Sequence, residues 1–111
     1  MHEVAIIEDI VRTLEEQYAD RVMNISKVEI EAGLLCNVQP ILIQNAYEAL
    51  VASMPSMVNI ELSIKILPII AYCKECKANF DVIKYTFVCS CGTPSKQIIQ
   101  GEELRISKVF F

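Results

Sequence analysis

The stretch YCKECKANFDVIKYTFVCSCGTPSK, residues 72–96, decides how the chain divides. It holds Cys73, Cys76, Cys89 and Cys91, four of the five cysteines, as a C-x2-C pair and a C-x-C pair separated by twelve residues. Two close thiolate pairs, each on a turn, can converge on one tetrahedral ion at about 2.3 Å. Zinc is the default for such a closed set, because thiolates suit it and it brings no redox chemistry. Iron, coordination by three thiolates, and reduced free thiols are the alternatives. Four protein ligands leave no open position for water, so the site is read as structural. The segment is too short to build a core of its own, so metal binding should supply much of its folding free energy, with Phe80, Val82, Tyr85 and Phe87 covering one side. Cys36 stands alone and reads as a small buried residue.

The flanks of this stretch alternate. Ile60, Leu62, Ile64 and Ile66 alternate with Glu61, Ser63 and Lys65 until Pro68, and Leu104 and Ile106 alternate with Glu103 and Arg105 after Gly101. Both patterns predict half-buried strands. A third strand is expected over Val28, Ile30 and Ala32, ending at Gly33. Upstream, Val4, Ile7, Ile10, Val11, Leu14 and Tyr18 recur at helical spacing against Glu8, Asp9, Arg12, Glu15 and Glu16, which predicts a helix from about residue 3 to about 21. A second helix is expected from Pro40 to about Ser53, with Leu42, Ala46, Ala49, Leu50 and Ser53 on its apolar face.

These elements predict an α+β fold of two helices packed on a three-stranded sheet, with an inserted small zinc-ribbon-like module. The expected domains are residues 1–69 plus 100–111, a discontinuous α/β body, and residues 70–99, the zinc-binding module. The charge is −4 over 111 residues, and the ten Lys and Arg are scattered, so a phosphate backbone is a poor partner. No apolar run is long enough for a bilayer and the start lacks a signal-peptide pattern, so the expectation is a cytoplasmic protein with no membrane and no nucleic-acid partner. In that compartment cysteines point to metal before disulfides.

The single histidine, His2, sits beside the terminal residue. A free terminal amine, the His2 amide and its imidazole can enclose a metal in fused chelate rings, with Glu3 offering a further donor. A planar set of nitrogen and oxygen donors suits Ni(II) or Cu(II). The helix starting near residue 3 leaves its first amides without carbonyl partners, so their use breaks no intrahelical bond. Uptake should expel protons, since the amine (pKa about 7.7–8.0) and the imidazole (about 6.5) must be neutral. An incidental histidine on a free end is the competing reading.

MHE at the start, the first amphipathic helix, KVEIEAG ending at Gly33, VQP before the second helix, the cysteine module and the terminal GEELRISKVFF together resemble one family, the hydrogenase-maturation nickel metallochaperones (HypA/HybF). The resemblance runs over nearly the whole chain. It implies a protein, not an enzyme, that receives Ni(II) and passes it toward a nickel–iron hydrogenase precursor, and in some bacteria toward urease. The implied partners are the maturation GTPase (HypB) and the hydrogenase large-subunit precursor. Nickel ligands then map onto Met1, His2 and Glu3, and zinc ligands onto Cys73, Cys76, Cys89 and Cys91. The chain carries CSC where family members usually have C-x2-C, and Ala32 and Cys36 where an aliphatic residue and a serine are more usual. A monomer or weak homodimer is expected. The alternative function is a zinc-ribbon protein-interaction or nucleic-acid-binding module without nickel.

Overall fold

The computed structural model describes residues 3–111. A helix, α1, spans Glu3–Tyr18, and its buried positions Ile7, Ile10, Val11 and Leu14 follow the expected stripe, although Val4 is exposed. The α-helix stops short of residue 21 because Ala19 turns to φ +45°, and a 3-10 segment, Ala19–Asn24, carries the chain on. Strand β1, Lys27–Gly33, then buries Val28, Ile30 and Ala32, as the alternation predicts.

Helix α2, Pro40–Val51, opens with proline in its first turn, where a missing N–H costs nothing. Its buried residues are Ile43, Tyr47 and Val51, so the inward face is rotated from the expected one; Leu42, Ala49 and Ser53 are exposed. ILI at 41–43 is apolar on every side, so periodicity alone could not choose the face. The hydroxyl of Tyr47 settles it by donating a hydrogen bond to the Ile60 carbonyl at 2.8 Å.

Strand β2 is Glu61–Leu67, and the last strand is Leu104–Phe110. They flank β1 in a three-stranded sheet. Ser26 N–H donates to Phe110 O and Gly33 N–H to Glu103 O, so the last strand runs antiparallel to β1. Glu61 N–H donates to Ser26 O, so β1 and β2 start side by side, as a parallel pair joined by a helix must.

Between β2 and the last strand lie β3 (Ile70–Cys73), β4 (Ala78–Asp81) and β5 (Ile98–Gln100), a second, antiparallel sheet in the order β4-β3-β5. The last strand is therefore β6. Two compact units emerge: one runs to Ile30, resumes at Val38–Lys65 and closes with Arg105–Phe111, and the other comprises Glu31–Asn37 and Ile66–Leu104. The divisions fall inside β1 and β2 and at the start of β6.

Burial pushes the Tyr47 phenol up to about 12. A raised folded pKa means the folded chain holds a proton that the unfolded chain releases near pH 10, so this contribution is whole below pH 10 and is lost as pH rises toward 12. Tyr47→Phe should cost about 1 kcal/mol at neutral pH by orphaning the Ile60 carbonyl. Urea melts of both proteins at pH 7 and pH 11 should show the difference between them shrinking at the higher pH; a constant difference would contradict a buried, neutral phenol.

Candidate metal centre

The first cysteine pair is presented by a hairpin. Cys73 ends β3 and pairs with Ala78 at the start of β4, and the turn between them places the Cys76 N–H 3.4 Å from Cys73 Sγ. Lys77 takes φ +54° to close it. The second pair rides a tighter loop: Gly92 N–H donates to Cys89 O, Cys89 N–H donates to Thr93 O, and Gly92 sits at φ +92°. That glycine lets Cys89 and Cys91, two residues apart, turn toward the same point.

The four Sγ atoms lie within 4.8 Å of one another. Cys73 and Cys91 are separated by 3.7 Å, and Cys76 and Cys89 by 3.8 Å. A tetrahedron with metal–sulfur bonds of about 2.3 Å has edges of about 3.8 Å, so the spacing and the soft donors fit one Zn(II). Each pair contributes one buried and one exposed cysteine: Cys73 and Cys89 face inward, Cys76 and Cys91 outward. The C-x-C spacing therefore does not prevent convergence.

Without an ion, the two exposed thiols of the cluster, Cys76 and Cys91, hold their protons unequally. Cys91 is lowered to about 6, first through the Thr93 hydroxyl 3.2 Å from its sulfur and then through the Thr93 backbone and Cys76. Cys76 is raised to about 12, chiefly because its thiol hydrogen-bonds to Cys91 and then to Cys89 and Cys73. One proton leaves easily and the last leaves with difficulty. A divalent cation supplies the charge that removes them all.

The apolar support includes three of the four expected residues, Phe80, Val82 and Phe87, and draws in others. Ile69, Ala71 and Val82 form a buried cluster with Leu35, Phe80, Phe87 and Ile98 against it, whereas Tyr85, at φ +59°, is exposed. Thr93 and Ser95 were not anticipated; Ser95 hydroxyl donates to Tyr72 O at 2.5 Å and ties the second loop to β3. The only sequence sign of these two was their position just after the second pair. Cys36 is partly buried rather than fully so, and its thiol lies 3.3 and 3.2 Å from the carbonyls of Glu102 and Glu103. It takes no part in the cluster. Glu3 opens α1. The expected ligands Met1 and His2 lie outside the described residues.

A family profile described as hydrogenase/urease nickel incorporation, metallochaperone, HypA matches residues 1–111. The chain belongs to the HypA family. A hydrogenase maturation factor HypA of Acidithiobacillus ferrooxidans is 32% identical over 111 residues, covering 98% of this chain and 97% of that protein. The guanidine hydrolase-activating protein A of Synechocystis is 29% identical over 114 residues, with 98% and 93% covered. The solution structure of the nickel metallochaperone HypA from Helicobacter pylori matches with a TM-score of 0.69 at 22% identity, covering all of this chain and 97% of that one, a likeness of fold. As a HypA-family member the chain is a nickel metallochaperone for hydrogenase maturation. Among the described residues, no helix is long and apolar enough to cross a membrane.

Proposed function

We propose that Ni(II), the cargo, is held at an unblocked amino terminus by Met1, His2 and Glu3 and is passed to a nickel–iron hydrogenase precursor. Zn(II) is the resident ion, bound by Cys73, Cys76, Cys89 and Cys91. The match of a nickel-incorporation family over residues 1–111 is the observation that carries the reading. The start of α1 at Glu3 supports the terminal site, because the first helical amides have no carbonyl partner within the helix. The charge of Glu3 offsets the unfavourable helix dipole felt by a cation there.

On this reading residues 1–69 plus 100–111 form the nickel-binding α/β domain and residues 70–99 the zinc-binding module. The protein works in the cytoplasm by binding and transfer rather than by catalysis. The maturation GTPase (HypB) supplies or accepts the metal on the path to the large-subunit precursor. The name of the Synechocystis relative adds a guanidine hydrolase to hydrogenase and urease as recipients to be compared.

Nickel titration followed by calorimetry and by the weak visible absorption of planar Ni(II) tests the site, using protein that begins at a free Met1 and carries its zinc. About one Ni(II) should bind in addition to the zinc, with proton release and loss on mild acidification. His2→Ala, or an added Gly-Ser before Met1, should weaken that site on the order of 100-fold or more, since a direct ligand matters at least as much as the groups that orient one. Unchanged affinity in both proteins would remove the terminal assignment.

A further inference from the structure

Beside the cysteine cluster two adjoining cavities share one wall, Pro94, Ser95 and Lys96. One, of about 490 Å³, is otherwise lined by Leu35, Phe87 and Ile98. The other, of about 450 Å³, is otherwise lined by Tyr72, Lys74 and Gln97. Each is within the size range of sites that hold a large side chain or small ligand, and both are open to solvent. The wall is held rigidly: Ser95 N–H donates to Phe87 O, Tyr72 N–H to Gln97 O, and the Ser95 hydroxyl to Tyr72 O.

The groove is thus apolar at one end and cationic at the other. Lys74 and Lys96 have no ion-pair partner among the described residues, although acidic side chains outnumber basic ones in the chain. Residues 70–99 carry Lys74, Lys77, Lys84 and Lys96 against Glu75 and Asp81, a local excess of positive charge inside a chain of net charge −4. Two unpaired ammonium groups beside an exposed apolar trough complement an extended segment with a large apolar side chain flanked by carboxylates. Nucleic acid is the poorer fit, because Leu35, Phe87 and Ile98 offer nothing to a phosphate and the remainder of the chain repels it.

We infer that this groove docks an acidic–apolar peptide segment of a partner protein, with the apolar side chain against Leu35, Phe87 and Ile98 and the carboxylates on Lys74 and Lys96. The site is independent of where nickel is held, so its test and the nickel titration fail separately.

The probe is a fluorescein-labelled peptide Gly-Asp-Glu-Phe-Leu-Asp-Glu-Gly, titrated by anisotropy with zinc-loaded full-length protein. Saturable binding is expected, and the peptide with Phe and Leu replaced by Ser should bind roughly tenfold more weakly. The double variant K74E/K96E should also lose roughly tenfold, because attraction becomes repulsion at both lysines, whereas K108E on β6 should not. Zinc content and circular dichroism equal to wild type exclude misfolding, and amide shifts on peptide addition should centre on residues 94–98. The inference is overturned if K74E/K96E binds as wild type does, if the Ser-substituted peptide binds equally, or if the shifts map elsewhere. It is likewise overturned in favour of another occupant if an eight-nucleotide single-stranded RNA binds more tightly than the peptide, or if the two reversals abolish self-association.

Discussion

Cys73→Ser should empty the thiolate centre and unfold the segment around it. Cys73 is fully buried at the end of β3 and stands at one corner of the sulfur tetrahedron, 3.7 Å from Cys91. The apolar cluster available to this segment is three buried residues and four half-buried ones, too little to order about thirty residues against their conformational entropy. Closed zinc sites contribute on the order of 10 kcal/mol or more to the folding of small metal-dependent modules. Zinc measured by elemental analysis should fall from about one equivalent to near zero, and amide exchange should accelerate across β3, β4 and β5 while α1 and α2 keep their protection. Chelation of the wild-type protein should do the same. Cys36→Ser is the control, because its sulfur hydrogen-bonds to the Glu102 and Glu103 carbonyls and stands outside the four-cysteine cluster, so its loss should leave the zinc in place. Full zinc content and intact protection in Cys73→Ser would refute a metal-dependent module.

Gly33→Ala should be the costliest single-methyl substitution in the chain. The backbone of Gly33 is ordinary, at φ −67° and ψ 148°, so glycine is not needed there for its conformational freedom. It is needed for space: a Cβ would stand 2.0 Å from Gly101 O, 2.1 Å from Gly101 C and 2.6 Å from Glu102 N. All three are backbone atoms, and the same crossing holds the hydrogen bonds from Gly33 N–H to Glu103 O and from Leu35 N–H to Gly101 O. No side chain can move aside, so the two segments must separate and lose those bonds. The cost should be about 3 kcal/mol or more, a fall in Tm on the order of 10–20 °C. Gly92→Ala provides the comparison: nothing lies within 4 Å of its Cβ, so only the φ of +92° is penalised, at about 1 kcal/mol. Thermal melts of the zinc-loaded proteins should rank them in that order; equal losses would show that the close approach at Gly33 is relieved.

Much of the architecture is written in periodicity. The stripe of Ile7, Ile10, Val11 and Leu14, the alternation of Val28, Ile30 and Ala32, and the proline at the head of α2 are local patterns with one structural solution each. Where composition was uniform, the pattern was silent. The inward face of α2 departs from the expected one because apolar residues cover most of that helix outside Gln44, Asn45 and Glu48, a stripe too broad to fix one rotation. The burial of Ile43, Tyr47 and Val51, with Tyr47 reaching Ile60 O, selects it. The strands β3, β4 and β5 are only three or four residues long and contain asparagine, aspartate, glutamine and cysteine, so they lack an alternation long enough to read; cross-strand pairing makes them.

The same division holds for the metal centre. Residue types and spacing alone named the four cysteines, because ligand chemistry resides in side-chain identity, whereas the residues proposed for nickel came from the family resemblance of the opening MHE, with spacing alone leaving an incidental histidine open. Spacing could not say whether a C-x-C pair can reach a shared ion. That depended on Gly92 adopting φ +92° and on the Cys89–Thr93 pairing, which close the loop and bring sulfurs from two hairpins to tetrahedral separation. Nor could spacing show that Gly33 and Gly101 touch across some seventy residues of chain, or that Lys74, Lys96 and Phe87 border adjoining cavities. Distances between residues remote in sequence are set when the chain packs, since many sequences share a local pattern and only the sum of long-range contacts selects one arrangement.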